Sequence, residues 1–338
     1  MALPTDSTHL SRPGQDGGTG AYDALFIEEY GGLVDLAFHE MSMMKSFINV
    51  RTVTGTNTIK NYRVGETALS AVTPGVRPAA SPTNFGDTSV TVDTVVVARN
   101  NVFLLEDIQN NYDAKVELAR TQGEQLGEYF DEAVYIQAMK AARASAPANL
   151  PGFQGGSRAR MAAASDELDA AKLEAKILEM VQSMEEKKVK VRGTQFGTTG
   201  YNGVKLFVSP AQYYTLLQSD KLVDSQYSPG NGDFADAKVL KVAGLPIETT
   251  TLLPQSAVTG HFLSNASNSN AYDVTAPQAD TVVLGFAPRA VLAGETISLA
   301  SDMWYSKEEK QWFIDSHLAF GIAPDRAEMA GVVDKFRA

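Results

Sequence analysis

The stretch of residues 90–134, VTVDTVVVARNNVFLLEDIQNNYDAKVELARTQGEQLGEYFDEAV, changes its periodicity midway. Over residues 90–97 the side chains alternate as they do on a β-strand. Over residues 113–142 apolar side chains recur three and four positions apart, which is typical of a helix with one buried face. That face comprises Val116, Ala119, Gly123, Leu126, Phe130 and Ala133. The stretch therefore predicts a strand followed by a helix on the order of 45 Å long, at roughly 1.5 Å per residue.

Carboxylates crowd this stretch and raise the question of a catalytic or metal site. They are Glu106, Asp107, Asp113, Glu117, Glu124, Glu128, Asp131 and Glu132. Most lie off the apolar face of the predicted helix, so we interpret them as its solvated side. Glu124 and Glu128 are four positions apart and could share a metal ion, but a carboxylate face without histidine is usually only solvated. No metal site is predicted there.

The segment upstream, residues 65–89, reads GETALSAVTPGVRPAASPTNFGDTS and contains a single aromatic residue, Phe85. A loop of this length inside a compact domain is uncommon and usually functional. Runs rich in β-forming residues flank it, so we predict that the two runs pair and project the loop as a hairpin arm. Because the arm has few large apolar side chains to bury against its own core, we expect it to contact another molecule.

The N-terminal region carries weaker signals. Residues 1–20 are rich in glycine and poor in apolar side chains, so we expect an arm that does not order by itself. The next segment has loosely helical spacing interrupted by Gly31 and Gly32, which predicts a broken helix or two short ones. The turn signal of residues 54–57 lies between two β-rich runs and predicts a first hairpin.

The second half of the chain mixes helices and strands, so the predicted class is α+β. Ser165 is the expected N-cap of a helix. The buried face of that helix comprises Leu173, Ile177, Met180, Val181 and Met184. Residues 204–210, VKLFVSP, predict a buried strand that leads into a helix, and residues 239–250 predict a strand pair. The region from residue 280 to residue 322 is strand-rich, with a charged turn at residues 307–310.

Composition excludes several function classes. The 338 residues carry a net charge of −11, which opposes binding to free nucleic acid and argues against a sequence-reading DNA-binding domain. The chain has no cysteine, which excludes a disulfide framework, a thiolate metal site and a cysteine nucleophile. No run of about 18 apolar residues predicts a membrane span.

The sequence contains only weak matches to known catalytic motifs. His39 lies in HEMSM without the second histidine that a helical zinc motif needs. Asp315 and His317 share one face of a predicted strand and could begin a Ser-His-Asp arrangement, but no G-x-S-x-G elbow accompanies them. We therefore predict no catalytic, cofactor-binding or metal-binding residue. An α/β hydrolase that uses Asp315 and His317 stays open as an alternative.

Residues 90–134, together with the order of the predicted elements along the chain, resemble the major capsid proteins of tailed bacteriophages. The likeness is specifically to the coat proteins of short-tailed podophages of the autographivirus type. Further likeness lies in EYGGLVDLAF (29–38), VVLGFAPRAV (282–291) and, more loosely, GIAPDRAEMAGVV (321–333). The resemblance implies the α+β fold of tailed-phage and herpesvirus major capsid proteins. It also implies a structural protein whose hexamers and pentamers form an icosahedral shell around double-stranded DNA. An encapsulin compartment of the same fold is an alternative.

The resemblance also implies a division of the chain. The parts are an N-terminal arm (1–45), peripheral-domain strands (46–61), an extended loop (62–98), more of the peripheral domain (99–189) with a spine helix (113–142), an axial domain (190–290) and late peripheral strands (291–338). The extended loop would lie over a neighbouring subunit. Interface residues are expected at Arg63, Glu66, Arg77, Phe85, Asp87, Arg99, Glu124, Glu128 and Asp131. Arg77 is expected to pair with carboxylates of an adjacent subunit.

The same resemblance implies several binding partners of the protein. Few residues precede the first predicted hairpin, whereas some relatives carry a long N-terminal scaffolding segment, so we expect a separate scaffolding protein. No lysine lies between Lys60 and Lys115, so the covalent cross-link that other relatives form from an extended-loop lysine is not expected. A portal protein and packaged DNA, held without sequence-specific contacts, complete the expected virion, which would assemble in the host cytoplasm.

Overall fold

The two longest helices of the described residues occur where the apolar spacing predicts them, while Gly31 and Gly32, at which a break was predicted, lie outside those residues. The computed structural model describes residues 33–39, 41–72, 74–75, 77, 82–105, 114–191, 203–219, 222, 232–233, 238–239 and 241–337. The helices are α1 (33–39), α2 (Met44–Phe47), α3 (Ala114–Ala141), α4 (Ala170–Glu186), α5 (Pro210–Leu216) and α6 (Ala276–Ala279). The helix predicted over residues 113–142 is therefore confirmed to within one residue at each end. Of its predicted apolar face only Val116 is exposed.

The strands form two larger sheets and two short pairs. They are β1 (Val50–Thr52), β2 (Thr58–Val64), β3 (Phe85–Thr91), β4 (Val96–Phe103), β5 (Ser157–Arg160), β6 (Lys205–Val208), β7 (Gly232–Asp233), β8 (Lys238–Val239), β9 (Lys241–Val242), β10 (Leu245–Thr249), β11 (Thr281–Phe286), β12 (Val291–Ser306), β13 (Gln311–Pro324) and β14 (Ala330–Asp334). One sheet has the order β1-β12-β13-β4 and the other β5-β14-β11-β6-β10-β9, while β2 pairs with β3 and β7 with β8. The mixed α+β class is confirmed.

The chain forms two compact units. The smaller is drawn from the chain before residue 43, from Val95–Gly127 and from Leu299–Leu318; the remainder forms the larger. The division into peripheral and axial domains stays a prediction.

The core of the smaller unit lies between helix α3 and the strand pair β4–β13. It comprises Val34, Val102, Ala119 and Ile314, with Leu33, Leu118, Leu299, Met303 and Trp312 packed against it. β4 runs antiparallel to β13, with Phe103 opposite Gln311 and Val96 opposite Leu318. Helix α1 packs so closely on α3 that a Cβ on Gly123 would lie 2.5 Å from the carbonyl oxygen of Val34. One face of the strand pair is thus covered, and the other carries partly exposed side chains.

The core of the larger unit lies between helix α4 and the six-stranded sheet. The five predicted apolar residues of α4 are all buried, which confirms its predicted face. The predicted cap is wrong: Asp169, not Ser165, accepts hydrogen bonds from the backbone amides of Ala171 and Lys172. Ser165 adopts a left-handed conformation, with φ of 66°, ahead of a short 3-10 turn, so its hydroxyl cannot cap the helix.

Two hairpin predictions have opposite outcomes. β2 and β3 pair antiparallel from Thr58 opposite Thr91 to Val64 opposite Phe85, which confirms the predicted pairing, while the outward projection of the loop stays a prediction. The hairpin predicted around residues 54–57 is wrong, because β1 instead pairs parallel with β12. The turn after β1 therefore leads from one sheet into another. The single strand predicted over residues 90–97 is also interrupted, since the backbone leaves the extended pattern between β3 and β4.

The paired late strands β12 and β13, joined by the turn at residues 307–310, are confirmed, as are β6 followed by α5 and the β9–β10 pair. Across the part of the chain that the structure describes, no helix has the length and apolar character that crossing a bilayer requires.

Candidate subunit interface

The hairpin arm presents large apolar side chains to solvent. Leu69 is 97% exposed and Phe85 75% exposed, and Tyr62, Val64 and Val72 are also mostly exposed. Isolated exposed apolar residues are common on monomeric proteins, but a run of them on one hairpin is typical of a contact surface. The predicted interface residue Phe85 thus lies at the start of β3 with its ring free for contact.

The paired strands of the arm are fastened within the larger unit through Arg63, near the end of β2 at which the loop begins. Its guanidinium donates to the carboxylate of Asp325 over 2.8 and 3.0 Å and also to the Asp325 carbonyl. Asn61 donates to the same carboxylate over 2.7 Å. Arg63 and Arg326 both stack on the ring of Phe153, at 5.7 and 5.2 Å from its centroid. Arg63 was predicted to contact a neighbour, whereas the structure shows its donors engaged inside its own chain.

The other predicted charges of the arm are exposed. Asp87 pairs with Lys60 over 3.3 Å across the β2–β3 ladder, an exposed ion pair of the kind that contributes little stability. Glu66 and Arg77 lie exposed in the loop between the strands. Their side chains are accessible to a neighbouring molecule.

Arg99 lies on β4 in the smaller unit and not on the arm. Its guanidinium donates to Asp315 over 2.8 Å and lies 5.2 Å from the ring centroid of Trp304. The Asp315 carboxylate is nearly buried while the Arg99 side chain is about half exposed. Asp315, which sequence reasoning considered for a catalytic triad, is thus the ion-pair partner of an arginine in a sheet.

The carboxylates of α3 divide into two groups. Glu117 and Glu128 are exposed, and partly exposed Glu124 accepts from Arg120 over 3.0 Å, which confirms the predicted solvated side for these three. Asp131 contradicts it, because it is 2% exposed and accepts from the backbone amides of Met43 and Met44 over 2.9 and 3.2 Å. The acidic residues from Glu106 to Asp113 lie outside the described residues.

Asp131 was predicted to lie on the solvated side of the helix because it falls off the predicted apolar face, and the resemblance placed it at a subunit interface. Its oxygens instead satisfy buried backbone donors at the start of α2, groups that are costly to leave unpaired. Sequence reasoning missed this role because its partners lie 87 and 88 positions away along the chain.

A buried ion cluster ties together three elements of the larger unit. Asp334, at the end of β14, has a fully buried side chain and accepts from Arg143 and from Arg158, the latter over 2.6 Å. Arg143 also donates to the hydroxyl of Thr281 over 2.7 Å. Burial lowers the pKa of Arg143, an effect that Asp334 opposes. The sequence contains no motif that predicts this cluster.

A second buried group is His261, which lies between two aromatic rings. Its imidazole stacks on Tyr129 at 5.1 Å and on Tyr272 at 5.5 Å between ring centroids. Its Nδ1 accepts from the backbone amide of Leu263 over 3.2 Å, so the hydrogen of the neutral ring is on Nε2, which has no partner among the described residues. Burial lowers the pKa of His261, and nearby Lys140 adds to this while Asp273 opposes it.

We expect acid to destabilise the subunit through His261. Its folded pKa lies below the value of about 6.5 for an exposed histidine, so the unfolded chain binds the proton more tightly. The stability due to the neutral ring is complete above that pH and is lost as the pH falls from there toward the folded pKa. Thermal unfolding between neutral pH and about pH 5, above the range in which most carboxylates titrate, measures the effect. His261→Phe should flatten the profile, and an unchanged slope would contradict this assignment.

The Gp10A-like family model, described as "Major capsid protein", matches residues 81–304, which is well over half of the chain. The chain belongs to the Gp10A-like major capsid protein family. The matched region contains β3, helix α3 and most of β12, so the stretch that suggested the resemblance is inside it. Members of this family are structural proteins and not enzymes. No curated protein sequence matches the chain.

Solved structures share the fold of this Gp10A-like protein. The capsid structure of the cyanophage P-SCSP1u matches with a TM-score of 0.76 at 19% identity, over 88% of this chain and 89% of that one. The mature capsid of bacteriophage PhiM1 matches with a TM-score of 0.74 at 24% identity, over 88% of each chain. A virus-like particle from Pyrococcus furiosus matches with a TM-score of 0.50 at 12% identity, over 91% of this chain and 99% of that one. The fold implied by the resemblance is confirmed.

These findings decide between the alternatives. An encapsulin compartment is not favoured, because the family model that matches is that of a major capsid protein. A hydrolase is not favoured either, and Asp315 is engaged by Arg99. The Gp10A-like protein is a component of the phage capsid shell and assembles with copies of itself.

Proposed function

We propose that this Gp10A-like protein forms hexamers and pentamers of an icosahedral phage head, and that its hairpin arm lies over a neighbouring copy. The observation that carries the proposal is the exposure of Leu69, Phe85 and the other large apolar side chains along the arm. They gain free energy only when another surface covers them. The attachment at Arg63 holds the paired strands without covering these side chains.

The expected energetics favour assembly despite the net charge of −11. Full burial of one Leu or Phe side chain contributes about 1.5–3 kcal/mol, and every subunit both gives and receives an arm. Charges repel over a Debye length of only about 8 Å at physiological salt, so most of the net charge does not act across an interface. Apolar contacts therefore drive association, and the exposed charges set the register.

Charged side chains of the arm and of α3 are accessible and can set the register between neighbouring subunits. Arg77 is exposed on the arm, and Glu117 and Glu128 are exposed on α3. In our proposal Arg77 pairs with such carboxylates of the adjacent copy, and Glu66 and Asp87 meet basic side chains there. Each exposed pair contributes little alone, so these contacts select the orientation more than they supply affinity.

Removing the apolar contacts of the arm is expected to prevent assembly. In the double variant Leu69→Ser and Phe85→Ser, the free subunit should unfold at the same temperature as the wild type, because both side chains are exposed. Particles counted by negative-stain electron microscopy and size-exclusion chromatography, after expression with and without a scaffolding protein, should fall at least tenfold, from the loss of about 3–6 kcal/mol per arm. The control Leu168→Ser removes an exposed leucine away from the arm. Normal particle yield in the double variant would refute the role of the arm.

The assembled shell is expected to be non-covalent. Among residues 61–114, which include the loop between β2 and β3, the sequence has no lysine that could form an amide bond to a neighbour. Purified particles boiled in detergent should therefore run as one band near the subunit mass of 36.3 kDa. A ladder of oligomers that persists under reducing conditions would contradict this prediction.

The remaining partners of the proposal come from the resemblance alone. They are a separate scaffolding protein, a portal protein and packaged double-stranded DNA held without sequence-specific contacts, with assembly in the host cytoplasm. The podophage subtype belongs with them. The net charge of −11 supports weak contact with the genome, since a negative shell does not attract DNA.

A further inference from the structure

The strands β12 and β13 place two carboxylates and a histidine together on one face of the smaller unit. The register follows from three contacts across the pair. Ser301 and Ser316 lie 3.1 Å apart between hydroxyl oxygens, and the rings of Trp304–Phe313 and Tyr305–Trp312 are in contact. In each contact the two residue numbers have the same sum, which is the property of an antiparallel pair in continuous register. Asp302 is therefore opposite Asp315.

Like charges directly opposite each other on neighbouring strands are destabilising. Arg99, on the other side of β13, donates to Oδ2 of Asp315 and compensates one of the two charges. Asp302 forms no such ion pair within the described part of the chain, and His317 lies two positions beyond Asp315 on the same face. The three side chains thus keep one uncompensated negative charge beside an imidazole.

The Asp315 side chain is only 8% exposed, and its Oδ1 atom has no hydrogen-bond partner among the described residues. That oxygen faces His317, whose Nδ1 lies 4.0 Å away. A buried carboxylate oxygen without a donor costs free energy, and such an atom marks a position where a further group can bind. This unpaired oxygen is an observation separate from the number of acidic residues nearby.

We propose that Asp302, Asp315 and His317 bind a divalent first-row transition-metal ion, with Zn²⁺ as the probe. One donor atom from each residue lies within 4.8 Å of the other two. Donors that share a zinc ion at about 2.0–2.2 Å are at most about 4.4 Å apart, so a small rotation of the exposed Asp302 brings the set into range. The ion would join β12 to β13 and compensate the charge that Arg99 leaves.

The donor set selects the class of ion. Imidazole nitrogen suits zinc and other late first-row ions, whereas Mg²⁺ and Ca²⁺ prefer oxygen ligands throughout. Three protein ligands leave coordination positions that water or a second molecule can occupy. Because the chain has no cysteine, no thiolate competes for the ion. The three metal-binding residues do not lie on the arm, so the metal site and the proposed assembly can fail separately.

Isothermal titration of the full-length, tag-free subunit with zinc chloride tests the site. We expect one ion per chain, with an increase in the thermal unfolding temperature at saturation. His317→Ala and Asp302→Asn should each weaken zinc binding at least about tenfold, since even the loss of a residue that supports a ligand costs 10- to 100-fold. Asp302 is exposed, so its amide variant should fold normally, which circular dichroism checks.

The matched control is His39→Ala. His39 also forms a histidine–aspartate pair, with Asp35 at 3.5 Å, but it is exposed on helix α1 and no third donor lies near it among the described residues. Zinc binding should be unchanged in this variant. Absence of binding by the wild-type chain, or equal affinity in the wild type, His317→Ala and Asp302→Asn, would overturn the proposal, whatever the outcome for particle assembly.

Discussion

Replacing Asp334 by alanine is expected to lower the free energy of unfolding of the subunit by about 3–5 kcal/mol. The carboxylate is fully buried and accepts from Arg143 and Arg158. Removal of one partner from a buried ion cluster leaves the other charge without compensation, and Arg143 is itself largely buried. Chemical denaturation of the unassembled subunit, followed by circular dichroism, measures the change.

The matched control is Asp87→Ala. Asp87 also pairs with a basic residue, Lys60, but both side chains are about half exposed. Its loss should change the free energy of unfolding by less than about 1 kcal/mol. If the two variants lost similar stability, the assignment of the Asp334 cluster as a structural centre of the larger unit would be incorrect.

Replacing Gly156 by alanine is expected to destabilise the subunit by about 3 kcal/mol, at the upper end of the range for overpacked sites. Gly156 precedes β5 and lies against the end of α3, where a Cβ would be 2.2 Å from the carbonyl oxygen of Ala142. The neighbour is backbone and cannot rotate away as a side chain can. The amide of Gly156 also donates to the Ala144 carbonyl over 2.9 Å, so movement of the strand would break a hydrogen bond.

Gly127→Ala provides the comparison, because this glycine also packs on a helix but leaves more room. Its nearest neighbours would be 3.2–3.4 Å from a Cβ, a contact that small shifts relieve. Alanine is favoured over glycine by about 1 kcal/mol inside a helix, so Gly127→Ala should be neutral or slightly stabilising. A larger loss of stability in Gly127→Ala than in Gly156→Ala would show that the nearby backbone is not what makes Gly156 intolerant of a side chain.

Local sequence patterns predicted the helices and strands of this fold better than they predicted which strands pair with each other. The spacing of apolar residues predicted α3 and the buried face of α4, because each depends on neighbours along the chain. The β2–β3 arm was predictable because its strands flank a loop of unusual composition. The first hairpin was wrong because the choice of β12 as the partner of β1 depends on residues more than 240 positions away.

The predicted interface residues show the same limit, because contacts between distant parts of the chain could not be predicted from local patterns. Arg77 and Phe85 are exposed, and their role at a subunit interface stays a prediction. Arg63 and Asp131 were assigned to a surface, but each is engaged by a distant residue of its own chain, Asp325 and the start of α2 respectively. Asp302 was missed, although the predicted turn at residues 307–310 implies the register that places it beside Asp315.

The attachment of the paired strands through Arg63 bears on the entropy of association. Fixing the backbone of one residue costs about 1–2 kcal/mol, so an arm that ordered along its whole length on contact would oppose binding strongly. With Arg63 held by Asp325 and stacked on Phe153, the two strands already have a fixed direction before any neighbour arrives. The ordering cost of each contact is then confined to the loop between them, and the arm meets its target as a preorganised ligand.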